Sequence, residues 1–211
     1  MGLIRHKHIR PANLGFTLGQ LDQATLDIIK KEVDKIQDDF SKAKIYNENL
    51  VGNIKHEYIL EDSCDAIFET VVELIEKNQT EFRWKNFFDS PINGNYRRSN
   101  FWVNFMKKGE FNPIHKHIGT WSFVIWYKIP YTMDEERAMI ANRIPESAKK
   151  SGIFEFVYSS VLGAITTEIL EVDKFYEGTI CVFPADLNHT VYPFYSSDDY
   201  RISISGNVTF D

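Results

Sequence analysis

The chain is poor in cysteine: Cys64 and Cys181 are the only two among 211 residues. That excludes a disulfide framework and any zinc-knuckle spacing. Cys64 lies in a helix-like segment and Cys181 in an apolar strand-like run, so both read as reduced, buried thiols. Long apolar runs are also lacking. No stretch approaches the ~20 apolar residues of a membrane span. Met1-Gly2-Leu3-Ile4-Arg5 offers no apolar run suited to a secretory signal, and His6 stands where a myristoylation pattern wants Ser or Thr. The expected location is the cytoplasm, with no membrane partner. A basic excess is missing too. Twenty-four Lys and Arg face 30 Asp and Glu, a formal net charge of −6. Nonspecific nucleic-acid binding needs a basic footprint, so none is expected. Arg97-Arg98 and Lys107-Lys108 read as solvated strand ends. No repeat, low-complexity stretch or long linker divides the chain.

Aromatics are plentiful, at 14% with 16 Phe and 10 Tyr, which favours strands over a Leu/Ala helical bundle. Two amphipathic helices are predicted. In residues 18–42, Leu21, Leu26, Ile29, Val33, Ile36 and Phe40 recur at helical spacing. In residues 61–80, Ile67, Val71, Leu74 and Ile75 form the stripe. Between them a polar loop precedes a short strand over 54–60. From about residue 96 the texture becomes β-rich. Runs at 98–106, 121–129, 153–158, 164–170, 178–183, 190–195 and 201–210 alternate with turns at intervals mostly near ten. Seven such strands suggest a sandwich or jelly-roll barrel. The charged insert 133–150 is helix-compatible until Pro145 and reads as a surface excursion or lid. The whole chain, 1–211, is expected to be one domain, with a mainly helical part over 1–95 and a jelly-roll core over 96–211.

The chemistry concentrates in a few residues. In a strand, side chains two apart share a face, so His115 and His117 would project together and Lys116 away. A metal needs a further, distant ligand, and His189 is the only histidine downstream. Imidazole-rich sites with open positions suit iron(II) or other first-row metals. His6-Lys7-His8 has the same spelling but sits near the terminus among Arg5 and Arg10, and His56 sits in the polar loop, so neither is chosen. Farther on, alternation in Tyr200-Arg201-Ile202-Ser203-Ile204-Ser205 puts Arg201, Ser203 and Ser205 on one face. An Arg fork beside a hydroxyl can grip a carboxylate. The other reading is a structural ion pair with Asp198, Asp199 or another acid, or a strand with one wet face.

Several stretches carry a resemblance. They are Asn104-Phe105-Met106-Lys107-Lys108-Gly109, Asn112 through His117, Ser122-Phe123-Val124-Ile125, Gly178 through Val191, and Arg201 through Asn207. Together they resemble the iron(II)/2-oxoglutarate-dependent oxygenase superfamily, in particular the oxygenases of phage and marine bacteria related to prolyl hydroxylases. The resemblance covers roughly the C-terminal half. Leu50-Val51-Gly52-Asn53-Ile54 is also similar to that group. It implies a double-stranded β-helix (a jelly-roll or cupin-like core) with N-terminal helices packed on it. It implies Fe(II), 2-oxoglutarate and O2 as cofactor and co-substrates. His115 and His189 would be iron ligands, and Arg201, assisted by Ser203, would bind the far carboxylate of 2-oxoglutarate. Where the superfamily normally has Asp or Glu, this sequence has His117. Either His117 completes a three-imidazole site, or the register shifts so that His117 is the first ligand and Gly119 marks an empty position.

The implied activity is that of a dioxygenase hydroxylating a C–H bond, with release of succinate and CO2. The substrate would be a peptidyl side chain, prolyl among them, or a small molecule, and a phage-encoded protein would act in the host cytoplasm. Asn104 or Phe105 would line the co-substrate pocket, and Trp126 and Tyr127 could lie near it. The insert 133–150 and the loop 46–53 are candidates to face the substrate. Two other classes stay open: a noncatalytic jelly-roll binding module, and a three-histidine cupin-type dioxygenase independent of 2-oxoglutarate. The orientation of Arg201 discriminates among them.

Overall fold

The computed structural model describes residues 13–84, 95–140 and 150–210. His6 to His8 and residues 141–149 of the insert lie outside the described residues. In chain order the elements are β1 (Thr17–Gln20), α1 (Gln23–Asp38), β2 (His56–Ile59), α2 (Cys64–Glu81), β3 (Tyr96–Met106), β4 (Asn112–His115), β5 (Trp121–Lys128), α3 (Met133–Ile140), β6 (Phe154–Ser159), β7 (Ile165–Leu170), β8 (Thr179–Pro184), β9 (Asn188–Val191) and β10 (Arg201–Phe210).

The strands form two antiparallel sheets. One has six strands in the order β1-β8-β5-β10-β3-β2, and the other has four in the order β4-β9-β6-β7. Two hydrophobic cores follow. The first, with Ile29, Val33, Ile67, Val71, Phe105, Ile202 and Ile204, lies between the six-stranded sheet and the helices. The second, with Trp126, Phe154, Phe156, Cys181 and Phe183, fills part of the space between the sheets. This is the jelly roll with helices packed on its outer face. Both cysteines are free and buried.

α1 starts where the Asp22 side chain accepts from Thr25 N at 2.7 Å. It buries Ile29, Val33 and Ile36 along one stripe. It also buries Glu32, whose carboxylate accepts from the backbone N–H groups of Glu61, Asp62 and Ser63 at 2.6, 2.9 and 2.8 Å. Those donors lie at the N-terminus of α2, where a carboxylate meets both unpaired N–H groups and the positive end of the helix dipole. These bonds tie the two helices to each other.

The helix predicted over 18–42 is shorter than its apolar spacing suggests. Residues Thr17–Gln20 instead add an edge strand, from Thr17 opposite Val182 to Gln20 opposite Thr179. Pairing with a sheet edge outweighs local helical periodicity there. The strand predicted over 190–195 begins earlier, at Asn188, and ends at Val191. Pro193 cannot donate to a ladder, and His189 becomes an interior strand residue.

Candidate metal centre and its cavity

His115 closes β4, and the antiparallel ladder places it directly opposite His189 on β9. Their ring centroids are 4.3 Å apart. β4 is an edge strand, which is why Pro113 is tolerated in it. His117 lies beyond the end of β4. Strand parity therefore does not deliver it. A backbone hydrogen bond from His117 N to Ala185 O, at 2.9 Å, turns it back toward the β8–β9 turn. Its ring then stacks on that of His189, centroids 5.0 Å apart and planes 9° from parallel. The two Nε2 atoms stand 3.1 Å from each other. Lys116 also lines the cavity between the sheets, but its side chain is largely exposed and pairs with Asp186 at 2.6 Å.

The possible ligand atoms of His115, His117 and His189 all lie within 4.8 Å of one another. Backbone carbonyls orient two of the rings. His115 Nδ1 is 2.7 Å from Pro113 O, and His189 Nδ1 is 3.0 Å from Leu187 O. A proton on each Nδ1 leaves Nε2 as the free lone pair. Burial lowers all three imidazoles. His117 is brought down to about 4 by burial and then by His115. His115 falls by burial, partly opposed by the Pro113 carbonyl. His189 falls well below its ordinary value through burial and then its two neighbours. Neutral imidazoles with converging lone pairs fit a first-row divalent metal. The observation that tests this fit is the Nε2–Nε2 approach, which sets two acceptor lone pairs face to face unless a proton or a metal lies between. Gly119, the other candidate for the second position, has no side chain to offer.

The histidines line one wall of a cavity of about 470 Å³ between the two sheets. On β10 the predicted alternation holds. Arg201, Ser203 and Ser205 line the cavity, while Ile202 and Ile204 face the helix-covered core. Arg201 is 2% exposed. Its guanidinium donates to Gly152 O at 3.4 Å. Among the described residues it has no carboxylate partner. Asp198 pairs with Lys108, and Asp199 with Lys128 at 3.8 Å. The structural ion pair considered from sequence is therefore absent among the described residues, and a buried guanidinium faces the cavity with its charge unbalanced.

Asn104 lies opposite Ser203 and donates to its hydroxyl at 3.3 Å. Phe105, the alternative to Asn104, packs in the core beneath the helices. Trp126 lines the cavity, whereas Tyr127 lies outside it and packs against that same core. The loop 46–53 does reach the cavity, through Tyr46, Asn49, Leu50, Val51 and Gly52. Three contributors escaped the sequence reading. Glu57 sits in a four-residue strand with no motif around it. Asn112 enters the sequence reading only within the stretch that carries the resemblance, with no role of its own. Gly152, whose carbonyl meets Arg201, has φ +74°, a left-handed conformation that a glycine after a predicted turn could have signalled.

A family model described as "Putative 2OG-Fe(II) oxygenase" matches residues 100–207. The match contains all three histidines and Arg201. No curated protein matches the chain in sequence. Among solved structures, a prolyl-4-hydroxylase from Pseudomonas putida aligns with TM-score 0.53 and 13% identity, over 92% of this chain and 91% of that one. A prolyl hydroxylase from Trichoplax adhaerens, solved with a hypoxia inducible factor peptide fragment, gives 0.53 and 13% over 93% and 83%. A non-heme alpha ketoglutarate dependent epimerase from nogalamycin biosynthesis gives 0.57 and 13% over 92% and 76%. At such identities the likeness is one of fold.

Proposed function

The chain belongs to the 2OG-Fe(II) oxygenase family, and we propose that it is a 2-oxoglutarate-dependent dioxygenase that hydroxylates a C–H bond. Membership implies Fe(II), 2-oxoglutarate and O2. In our reading His115, His117 and His189 hold the iron as a three-imidazole set. Arg201 grips the far carboxylate of 2-oxoglutarate, with Ser203 and Asn104 beside it. The observation that carries this reading is Arg201, buried in the cavity that also gathers the three histidines and without a carboxylate partner among the described residues. A guanidinium without an anion in such a place is costly, and a bidentate carboxylate offsets that cost.

When bound, iron with 2-oxoglutarate and O2 supplies the oxidising chemistry: CO2 is lost, one oxygen atom enters succinate and the other the product hydroxyl. The chain's own contribution is placement. Pro113 O and Leu187 O hold two imidazoles in the tautomer that offers Nε2. The apolar rings of Phe154 and Phe183 pack against His189 and exclude water from that side. The Arg201 side chain fixes the distance at which a dicarboxylate spans the cavity. An inward Arg201 also weighs against a noncatalytic module and against a cupin-type dioxygenase that uses no 2-oxoglutarate.

The test is oxygen-dependent conversion of 2-oxoglutarate to succinate by the iron-loaded protein. Arg201→Ala should retain iron and lose this turnover at low co-substrate, with affinity for 2-oxoglutarate down by about tenfold or more, as for a lost charged hydrogen bond. Each of His115→Ala, His117→Ala and His189→Ala should lose iron on dialysis. Full iron retention in His115→Ala would return the account to the shifted register, and unchanged co-substrate affinity in Arg201→Ala would remove the anchor role.

A further inference from the structure

The cavity holds a second buried ionisable group, an acid without a counter-ion among the described residues. Glu57, on β2, is 1% exposed and is the one carboxylate among the described residues that line the cavity. Its Oε2 accepts from Asn47 Nδ2 at 3.1 Å. Its Oε1 is buried with no hydrogen-bond partner. The ladder sets Glu57 opposite Asn104 and Asn104 opposite Ser203. Side chains paired in this way stand about 4.5–5.5 Å apart at Cβ. Asn104 Nδ2 is used by Ser203, and its Oδ1 is unpartnered. Asn112 Oδ1, a third lining oxygen, is unpartnered as well. A Cβ built on Gly52 would lie 1.9 Å from Asn112 Oδ1 and 3.5 Å from Glu57 Oε1, so those two oxygens are no farther apart than the sum of these distances. One nitrogen can reach both. Any residue larger than glycine at position 52 would fill the corner.

Resting on the oxygenase reading above, we propose that Glu57, with Asn104 and Asn112, recognises a cationic nitrogen of the substrate, an ammonium or guanidinium group, and so presents a neighbouring C–H bond to the metal centre. The chemistry is one-sided. Three acceptors without partners among the described residues line this cavity, Glu57 and Asn104 from one sheet and Asn112 from the other; an ammonium brings three donors and no acceptor, a guanidinium five and none. A neutral alcohol brings only one donor to these acceptors, and an anion brings none. Burial, and then the nearby Glu110 carboxylate, push the Glu57 carboxyl up to about 8. A docked cation offsets both effects and restores the charged form. The cations already lining the cavity do not compete: Lys116 is taken by Asp186, and Arg201 belongs to the co-substrate end.

Binding of capped amino acids to the iron(II)-loaded, 2-oxoglutarate-saturated protein under argon, measured by titration calorimetry, tests the proposal. N-acetyl-lysine N-methylamide and its arginine counterpart should bind about tenfold or more tightly than the norleucine and glutamate counterparts. Glu57→Gln, which keeps the shape and removes the charge, should erase that preference. Equal affinity for lysine and norleucine probes in the wild type, no binding of any probe, or a preference surviving in Glu57→Gln would each overturn it. The wild-type ranking stands even where the variant misfolds. Succinate formation with Arg201 intact, and its loss in Arg201→Ala, is read separately. Failure there removes the oxygenase reading, whereas failure of the probe ranking alone removes only the cation site.

Discussion

Glu57 is a residue at which burial acts visibly. Its carboxyl is pushed from an ordinary value of 4.5 to about 8, by burial and then by Glu110. Below pH 4.5 the folded and unfolded chains both hold this proton. Between that value and about 8 the unfolded chain releases it while the folded chain keeps it. The folded state binds more protons over this window, so the group's contribution to stability falls as pH rises. Glu57→Gln removes the titration. Denaturant melts of the ligand-free protein across this window should show the variant gaining on the wild type as pH rises, and a pH-independent difference would contradict the assignment. His115, His189 and Arg201 stand out in the sequence because polar residues of these types sit at or inside strand-like runs, whereas His117 stands out by a strand spacing that the structure replaces with a turn beyond β4. The sequence hid Glu57 because a lone acid in a short polar strand looks like a solvated one. Only the pairing of β2 with β3 turns it inward.

Among the elements, α3 and the turn at Gly152 matter most for Arg201, the proposed co-substrate anchor. The Glu136 carboxylate, buried in α3, accepts from Ser151 Oγ, from Tyr195 N at 3.0 Å and from Ser196 N at 2.7 Å. It thus ties the segments before β6 and before β10 together. Gly152 O accepts from the Tyr131 hydroxyl at 2.8 Å and from Arg201 at 3.4 Å. A Cβ at Gly152 would sit 2.9 Å from the Tyr131 ring, on a backbone with φ +74°. Gly152→Ala should therefore cost about 1–2 kcal/mol from the left-handed backbone alone. In a chain of this size that is a fall in Tm of roughly 2–8 °C. Affinity for 2-oxoglutarate should weaken with it, because the carbonyl that steers Arg201 moves. An unchanged Tm would show that the turn relaxes freely. The insert reads from sequence as a helix-compatible surface excursion or lid; its described part is a helix, Met133–Ile140, but a partly buried one, with Met133, Glu136 and Ile140 covered. The stripe Met133, Glu136, Ile140 places an acid among apolar positions, and helical periodicity alone gives no reason to bury it. Its partners, at residues 151 and 195–196, are distant in sequence.

At the scale of the whole molecule, the layers divide the work. The helices and the outer face of the six-stranded sheet bury one core, and that leaves the inner face free to carry Arg201, Ser203, Asn104 and Glu57 as polar residues. The four-stranded sheet closes over them and brings His115 and His189 from opposite strands. A jelly roll was legible from seven evenly spaced β-rich runs. The edge strand β1 and the short β2 were less so, because long-range pairing and not local pattern makes them strands. The membership in the 2OG-Fe(II) oxygenase family and the position of a buried Arg201 without a carboxylate partner among the described residues meet in one claim, that 2-oxoglutarate chelates iron held by the three histidines while Arg201 holds its other end. The most direct test is anaerobic titration of the iron(II)-loaded protein with 2-oxoglutarate, watched for the weak visible metal-to-ligand charge-transfer band. The account predicts that the band appears and saturates in the wild type and needs a higher co-substrate concentration in Arg201→Ala. Iron bound at full occupancy with no band at any concentration of 2-oxoglutarate would contradict it.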